Sequence, residues 1–229
     1  MAAFDKYAAT VEERLDRQHS PKGTFLEPVD LARVRAGRVL IEKIRADADP
    51  PGGMLHHWRG TAFAGGAKPA DFERLLRNFD SYPTVYAPQV VKATVHSRDS
   101  EQYGVTMRAV QKHVLTVVMD ITYDMTFGRL DARHGFSASR GIRISEIDAP
   151  GTPKERALTP DEEHGFMWRL NTYWSYEERD GGLYLQIESV SLSRSIPTGL
   201  GWAIGPFVES VPRESMEFTL RKTCEALRK

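Results

Sequence analysis

The chain has 229 residues and carries 31 Lys plus Arg against 31 Asp plus Glu, so its formal charge is zero. That balance argues against a dedicated nucleic-acid binder, which shows a basic excess, and a 41% hydrophobic content argues against global disorder. Its one cysteine, Cys224, excludes an intramolecular disulfide and reads as a small packed residue rather than a reactive thiol.

Residues 3–18 predict an amphipathic helix with Phe4, Tyr7, Ala8, Val11 and Leu15 on one stripe. Ser20-Pro21-Lys22-Gly23 stops it. Residues 28–36 predict a short helix that Pro28 opens and Gly37 stops, and residues 38–45 a strand. Asp49-Pro50-Pro51-Gly52-Gly53 is the strongest punctuation in the chain. It sets a boundary between an N-terminal helical extension, residues 1–48, and the main domain, residues 49–229. Beyond it come a strand at 54–64, a helix at 69–79 and a short helix or turn at 80–86. Strands follow at 89–97, 102–113, 114–127 and 135–147. After an acidic, proline-bearing loop at 148–164, two more strands occupy 165–178 and 183–194, with Asp180-Gly181-Gly182 as the hairpin turn. Residues 196–229 predict a long helix, with Ile204 and Phe207 on its apolar stripe and Met216 and Leu220 continuing it.

The strand at 114–127 is the most informative. From Leu115 on, every odd position is apolar or aromatic, through Met119, Tyr123 and Met125 to Phe127, while the even ones carry mostly Thr and Asp. Such alternation describes one dry and one wet face. Methionine recurs where a surface must fit variable apolar shapes, so the dry face reads either as plugged core or as the wall of a pocket. Tyr103 and Met107 on the preceding strand continue the same register.

Strand, two short helices, a run of sequential strands and a long closing helix make an α+β layout. Four pieces carry a resemblance: GGMLHHWRGTAFA, then DFERLLRNFDSYPTVYAPQVVKATV, then the pair of long strands, then SLSRSIP leading into the last helix. On these, residues 54–229 resemble bacterial members of the START-like (SRPBCC) superfamily, which includes Bet v 1-type proteins, lipid-transfer START domains and aromatic polyketide cyclases. The resemblance implies a helix-grip fold, a curved antiparallel sheet wrapped around the C-terminal helix. It also implies a cavity between the two that holds a hydrophobic small molecule.

Tyr103, Met107, Met119, Tyr123, Met125, Arg140, Trp168, Glu188, Ile204 and Phe207 are the candidate ligand contacts. Arg140 stands out because it shares a row with Phe136 and Ala138, and a buried charge must find a partner. It reads as an ion pair or as a contact to a ligand's acid group, with Glu188 on a neighbouring strand. Trp168 and Tyr123 read as stacking surfaces or as plain core. His56 and His57 are adjacent on a strand and point to opposite faces, which makes a poor metal site. Asp120 and Asp124 lie about 13 Å apart on a strand, too far for a carboxylate dyad. No P-loop, GxGxxG, GxSxG or HExxH pattern occurs. The expectation is therefore no metal, no cofactor and no catalytic residue.

The leading reading is a carrier of a lipid, sterol or polycyclic molecule. The alternative is a cyclase or aromatase-like enzyme in which Arg140, Tyr123 or Glu188 polarises a carbonyl or moves a proton. A third reading makes residues 3–48 a contact arm for another protein. No run approaches the roughly 20 apolar residues of a membrane span, and no signal peptide is visible, although similar bacterial proteins are often exported. Transient contact with a membrane stays open.

Overall fold

The computed structural model describes residues 2–20, 23–44, 49–112, 116–195 and 201–228, with side chains from 210 onward in the last stretch. Helix α1 (Ala2–Gln18), helix α2 (Leu31–Arg35) and strand β1 (Leu40–Lys43) precede the long strand β2 (Gly53–Gly65). Helices α3 (Pro69–Arg77) and α4 (Tyr82–Val85) follow, then β3 (Val90–Asp99), β4 (Gln102–Lys112), β5 (Thr116–Arg129) and β6 (His134–Asp148). The short β7 (Arg156–Ala157), then β8 (Arg169–Arg179), β9 (Gly182–Arg194) and helix α5 (Gly201–Leu227) complete the chain.

The strands form one curved, unclosed antiparallel sheet in the order β1-β2-β9-β8-β6-β5-β4-β3, with β7 paired to β6. The expected 165–178 strand starts later, at Arg169. The buried Glu146 carboxylate explains this by accepting the backbone N–H groups of His164, Gly165 and Phe166, which draws that stretch away from a strand ladder. The start of the expected 114–127 strand, Val114 and Leu115, lies outside the described residues, as does the start of the last helix at 196–200.

Alternation gives the sheet two distinct faces. The concave face collects Trp58, Tyr103, Val105, Met119, Ile121, Tyr123, Met125, Phe127, Trp174 and Ile187 into the main core. Phe72 and Leu76 of α3, Tyr82 and Tyr86 around α4, and Met216, Leu220 and Leu227 of α5 pack onto it. Proline at the first position of α3 suits a helix start, where its missing N–H is not needed, and Asp71 accepts the Lys68 N–H at 3.3 Å. Gly60 lets α5 come close: a Cβ there would lie 2.5 Å from Leu220 and 3.0 Å from the Met216 sulfur.

The outer face is also covered. Phe4, Ala8, Val11 and Leu15, spaced on one side of α1, bury against Ala138, Tyr173, Val190 and Leu192. Each such side chain stabilises the fold by about 1.5–3 kcal/mol when fully buried, less for Ala. The segment before residue 49 therefore contributes both a helix over the outer face and the edge strand β1, which pairs with β2 from Leu40–Thr61 to Lys43–Trp58.

Candidate ligand-binding face

The register places five of the ten candidates on the concave face: Tyr103 opposite Met125, Met107 opposite Ile121, and Met119 and Tyr123 in the same row along β5. Tyr103, Met119, Tyr123 and Met125 are buried, and Met107 is partly so. Tyr103 is boxed in by Phe79 and Phe127, with ring centroids at 5.6 and 5.3 Å, and the Arg98 guanidinium lies 5.3 Å from its ring. It belongs to a packed end of the face, capped by α3 and α4.

Toward the other end of β4 and β5 the packing loosens. Val90, Ala93, Met107, Ala109, Val117, Ile144, Met167 and Leu170 border the core but stay only partly buried. Between the two ends the concave floor carries small hydroxyl residues. Met125 faces Ser139, Ser139 faces Thr172, Thr172 faces Ser189 and Ser189 faces Trp58, so one row crosses five strands. Ser191 sits beside it, opposite Leu170. Ser137, Tyr103 and Trp58 each bury a polar atom without a hydrogen-bond partner among the described residues. Burial alone raises the Tyr123 phenol's pKa above its ordinary value. An unpaired buried polar group costs about 1–3 kcal/mol, so two hydroxyls and an indole N–H are a poor way to fill a core and a good way to meet a polar group of a guest.

In the sequence these hydroxyls are visible only as serines without a His-acid alignment. Only Ser189 and Ser191 carry a local signal, their alternate spacing along β9.

Three candidates lie elsewhere, which corrects the expectation of a single shared pocket. Arg140 faces outward, opposite Asp124 and Asn171, and its Nε donates to Glu12 of α1 at 2.7 Å. Its row with Phe136 and Ala138 is apolar because α1 and its following turn cover it, not because it lines the cavity. Trp168 packs beside the same outer cluster with Leu55. Glu188 is 2% exposed on the outer face, where it faces Arg59 and Tyr173. It accepts from His57 Nε2 at 2.8 Å, from Arg59 Nε at 2.9 Å and from Arg14. Burial would raise its pKa, but the His57 hydrogen bond and the charges of Arg59 and Arg14 outweigh that and hold it at about 2. Ile204 and Phe207 have side chains outside the described residues.

His56 and His57 do point to opposite faces, His56 to Ser193 at 3.1 Å and His57 to Glu188. Among the described residues no group of three or more His, Cys, Asp or Glu is placed to hold a metal ion. No helix among them is long and apolar enough to cross a membrane.

A curved antiparallel sheet closed by a long C-terminal helix is shared with several solved structures. A STAR-related lipid transfer protein fragment from Xanthomonas axonopodis superposes with a TM-score of 0.56 at 15% identity, over 89% of this chain and 97% of that one. The chain has the START-like helix-grip fold. The Zhui aromatase/cyclase from Streptomyces shares this fold at a TM-score of 0.50 and 11% identity, over 76% of this chain and 95% of that one. A Thermus thermophilus protein matches at 0.50 and 14% identity, over 74% and 94%. No family model matches the chain, and no curated protein does. The helix-grip fold hosts both carriers and enzymes, so the choice between them falls to the residues of the site.

Proposed function

We propose that the chain binds and carries a hydrophobic small molecule bearing a polar group, held between the concave face and α5. The observation that carries this is the hydroxyl row of Ser139, Thr172 and Ser189 beside the buried, unpartnered Ser137 and Tyr103 hydroxyls and Trp58 indole N–H, flanked by the half-buried Met107, Ile144 and Leu170. Apolar lining with a few convergent polar groups is the usual make-up of a small-molecule site. The fold is that of a lipid transfer protein and of an aromatase/cyclase, which supports a lipid-like or polycyclic guest.

A cyclase reading has weaker support here. Arg140 and Glu188, two of the three groups it relied on, sit on the face of the sheet opposite Tyr123 and pair with α1. That leaves Tyr123 without either of the charged partners that could relay a proton.

Native mass spectrometry of freshly purified protein tests the carrier reading. The expected result is co-purified or exchangeable apolar ligand in the folded protein. A protein that carries none, and takes up none from a panel of fatty acids, phospholipids, sterols and polycyclic aromatics, would sink it.

A further inference from the structure

At the β1 edge of the sheet, the α2–β1 segment and α5 border a cleft of about 470 Å³. Arg33 and Arg38 line one wall, Arg213 and Arg221 the other, and Glu217 is the single carboxylate among them. Glu217 is shared: Arg221 Nη2 donates to it at 2.6 Å and Arg213 stands 4.0 Å away. Arg33 and Arg38 pair with no carboxylate among the described residues, although the chain has as many acids as bases. Four guanidinium groups around one carboxylate leave a local positive excess that the neutral chain does not share. Val39 and Ile41 supply a short apolar floor between them.

Guanidinium groups match phosphate oxygens in pairs of parallel hydrogen bonds, and convergence from two walls lets them grip one ligand from both sides. The α5 wall is set rigidly. Met216 and Leu220, on the neighbouring stripe of the helix, pack over Gly60, and Arg213, Glu217 and Arg221, spaced four residues apart, line the cleft beside them. We propose that this cleft binds a phosphate-bearing anion with at least two negative charges, either a free phosphate compound or a phospholipid headgroup. The site lies at the β1 edge of the sheet, where Val39 and Ile41 border the main core, and the proposal does not rest on what the concave face holds.

Calorimetric titration with sodium pyrophosphate, and flotation with phosphatidylcholine vesicles containing phosphatidic acid, test the site. Binding in either arm is expected, weakening as salt rises. Pyrophosphate binding identifies a free phosphate compound as a sufficient ligand; binding to vesicles alone identifies the headgroup. The double variant Arg33→Ser/Arg38→Ser should lose at least about tenfold in affinity, the scale of one charge-assisted hydrogen bond, with its melting temperature unchanged. Glu217→Gln should tighten binding by removing the one opposing charge. The proposal is overturned if neither probe binds, or if the double variant binds as tightly as the parent.

Discussion

Tyr123 of β5 stands opposite Gly141 of β6, and at that pair the register between the two strands slips. Thr122 pairs with Arg143 while Tyr123 pairs with Gly141, so Ile142 is the extra residue of a β-bulge. The slip brings Ile144 and Glu146 onto the concave side, opposite Ile121 and Met119. The ladder between β6 and β8 ends at the neighbouring pair, Arg140–Asn171. The bulge thus separates the packed half of the sheet from the looser half where Met107, Ile144 and Leu170 lie.

Gly141→Ala is expected to destabilise the fold by about 1–3 kcal/mol, the scale of an overpacked site. A Cβ there would lie 2.6 Å from the Leu170 carbonyl oxygen, a backbone atom that can yield only if β8 moves. Urea denaturation measures the effect. An unchanged midpoint would show that β6 and β8 part without strain.

Thr172→Leu and Ser189→Leu should abolish uptake of an apolar ligand while leaving the melting temperature equal or higher. Each replaces a half-buried hydroxyl on the concave floor with a larger apolar group. Displacement of a fluorescent apolar dye, read beside thermal unfolding, separates blocked binding from damage to the fold. Retained uptake in both variants would move the guest away from this floor.

Glu188→Gln should cost on the order of 3–5 kcal/mol, because removing one partner from a buried charge cluster strands the others. Glutamine keeps one acceptor oxygen, so either Arg59 or the Arg14–His57 pair loses its contact and all three lose the compensating charge, although Glu27 still faces both arginines. Ligand binding should not change, since the cluster lies on the other face of the sheet. Equilibrium unfolding together with the dye assay checks both halves of this expectation.

Acid should weaken the protein in two successive windows. Burial lowers His19 from 6.5 to about 4; Arg14 adds to this, while Asp16 and Glu188 oppose it. The ring stacks against Phe25 and Phe136 and bonds the Ser175 hydroxyl at 2.8 Å. The folded value lies below the unfolded one, so protonation favours unfolding. Its contribution is complete above pH 6.5 and is lost as pH falls toward about 4. Glu188, held at about 2 against an ordinary 4.5, loses its contribution in the next window down. Unfolding free energy followed against pH should fall in both ranges, and His19→Gln should flatten only the upper one.

Cys224 should resist alkylation in the folded protein. Burial pushes its thiol up to about 11, so almost no thiolate exists at neutral pH. Iodoacetamide labelling should begin only where denaturant unfolds the chain. Rapid labelling without denaturant would mean that the end of α5 opens locally.

The strands and the face of β5 were legible because period-2 alternation survives wherever one side of a sheet is dry. Met119, Tyr123 and Met125 face inward as their spacing says. The phase of β6 was not legible in the same way. Its outer side is apolar too, under α1, so Phe136 and Ala138 looked like cavity positions and carried Arg140 with them. Only pairing fixes the phase, and pairing sets Arg140 against Asp124, a residue the alternation had already put on the wet side. Glu188 was misplaced for a related reason: its partners Arg14, His57 and Arg59 lie 129–174 residues away, beyond the reach of any local pattern.

Those separations also set the order in which the molecule can assemble. The apolar stripe of α1 has only Ala138 and Tyr173 of its docking surface until Val190 and Leu192 have joined the sheet, and Arg14 waits across 174 residues for Glu188. During synthesis Phe4, Val11 and Leu15 must therefore remain exposed while nearly the whole chain emerges. Contacts this distant in sequence form late and slowly, and an apolar helix left unpaired for that interval is open to self-association. The segment that finally seals the outer face is thus also the point at which a nascent chain is most in need of a chaperone's shelter.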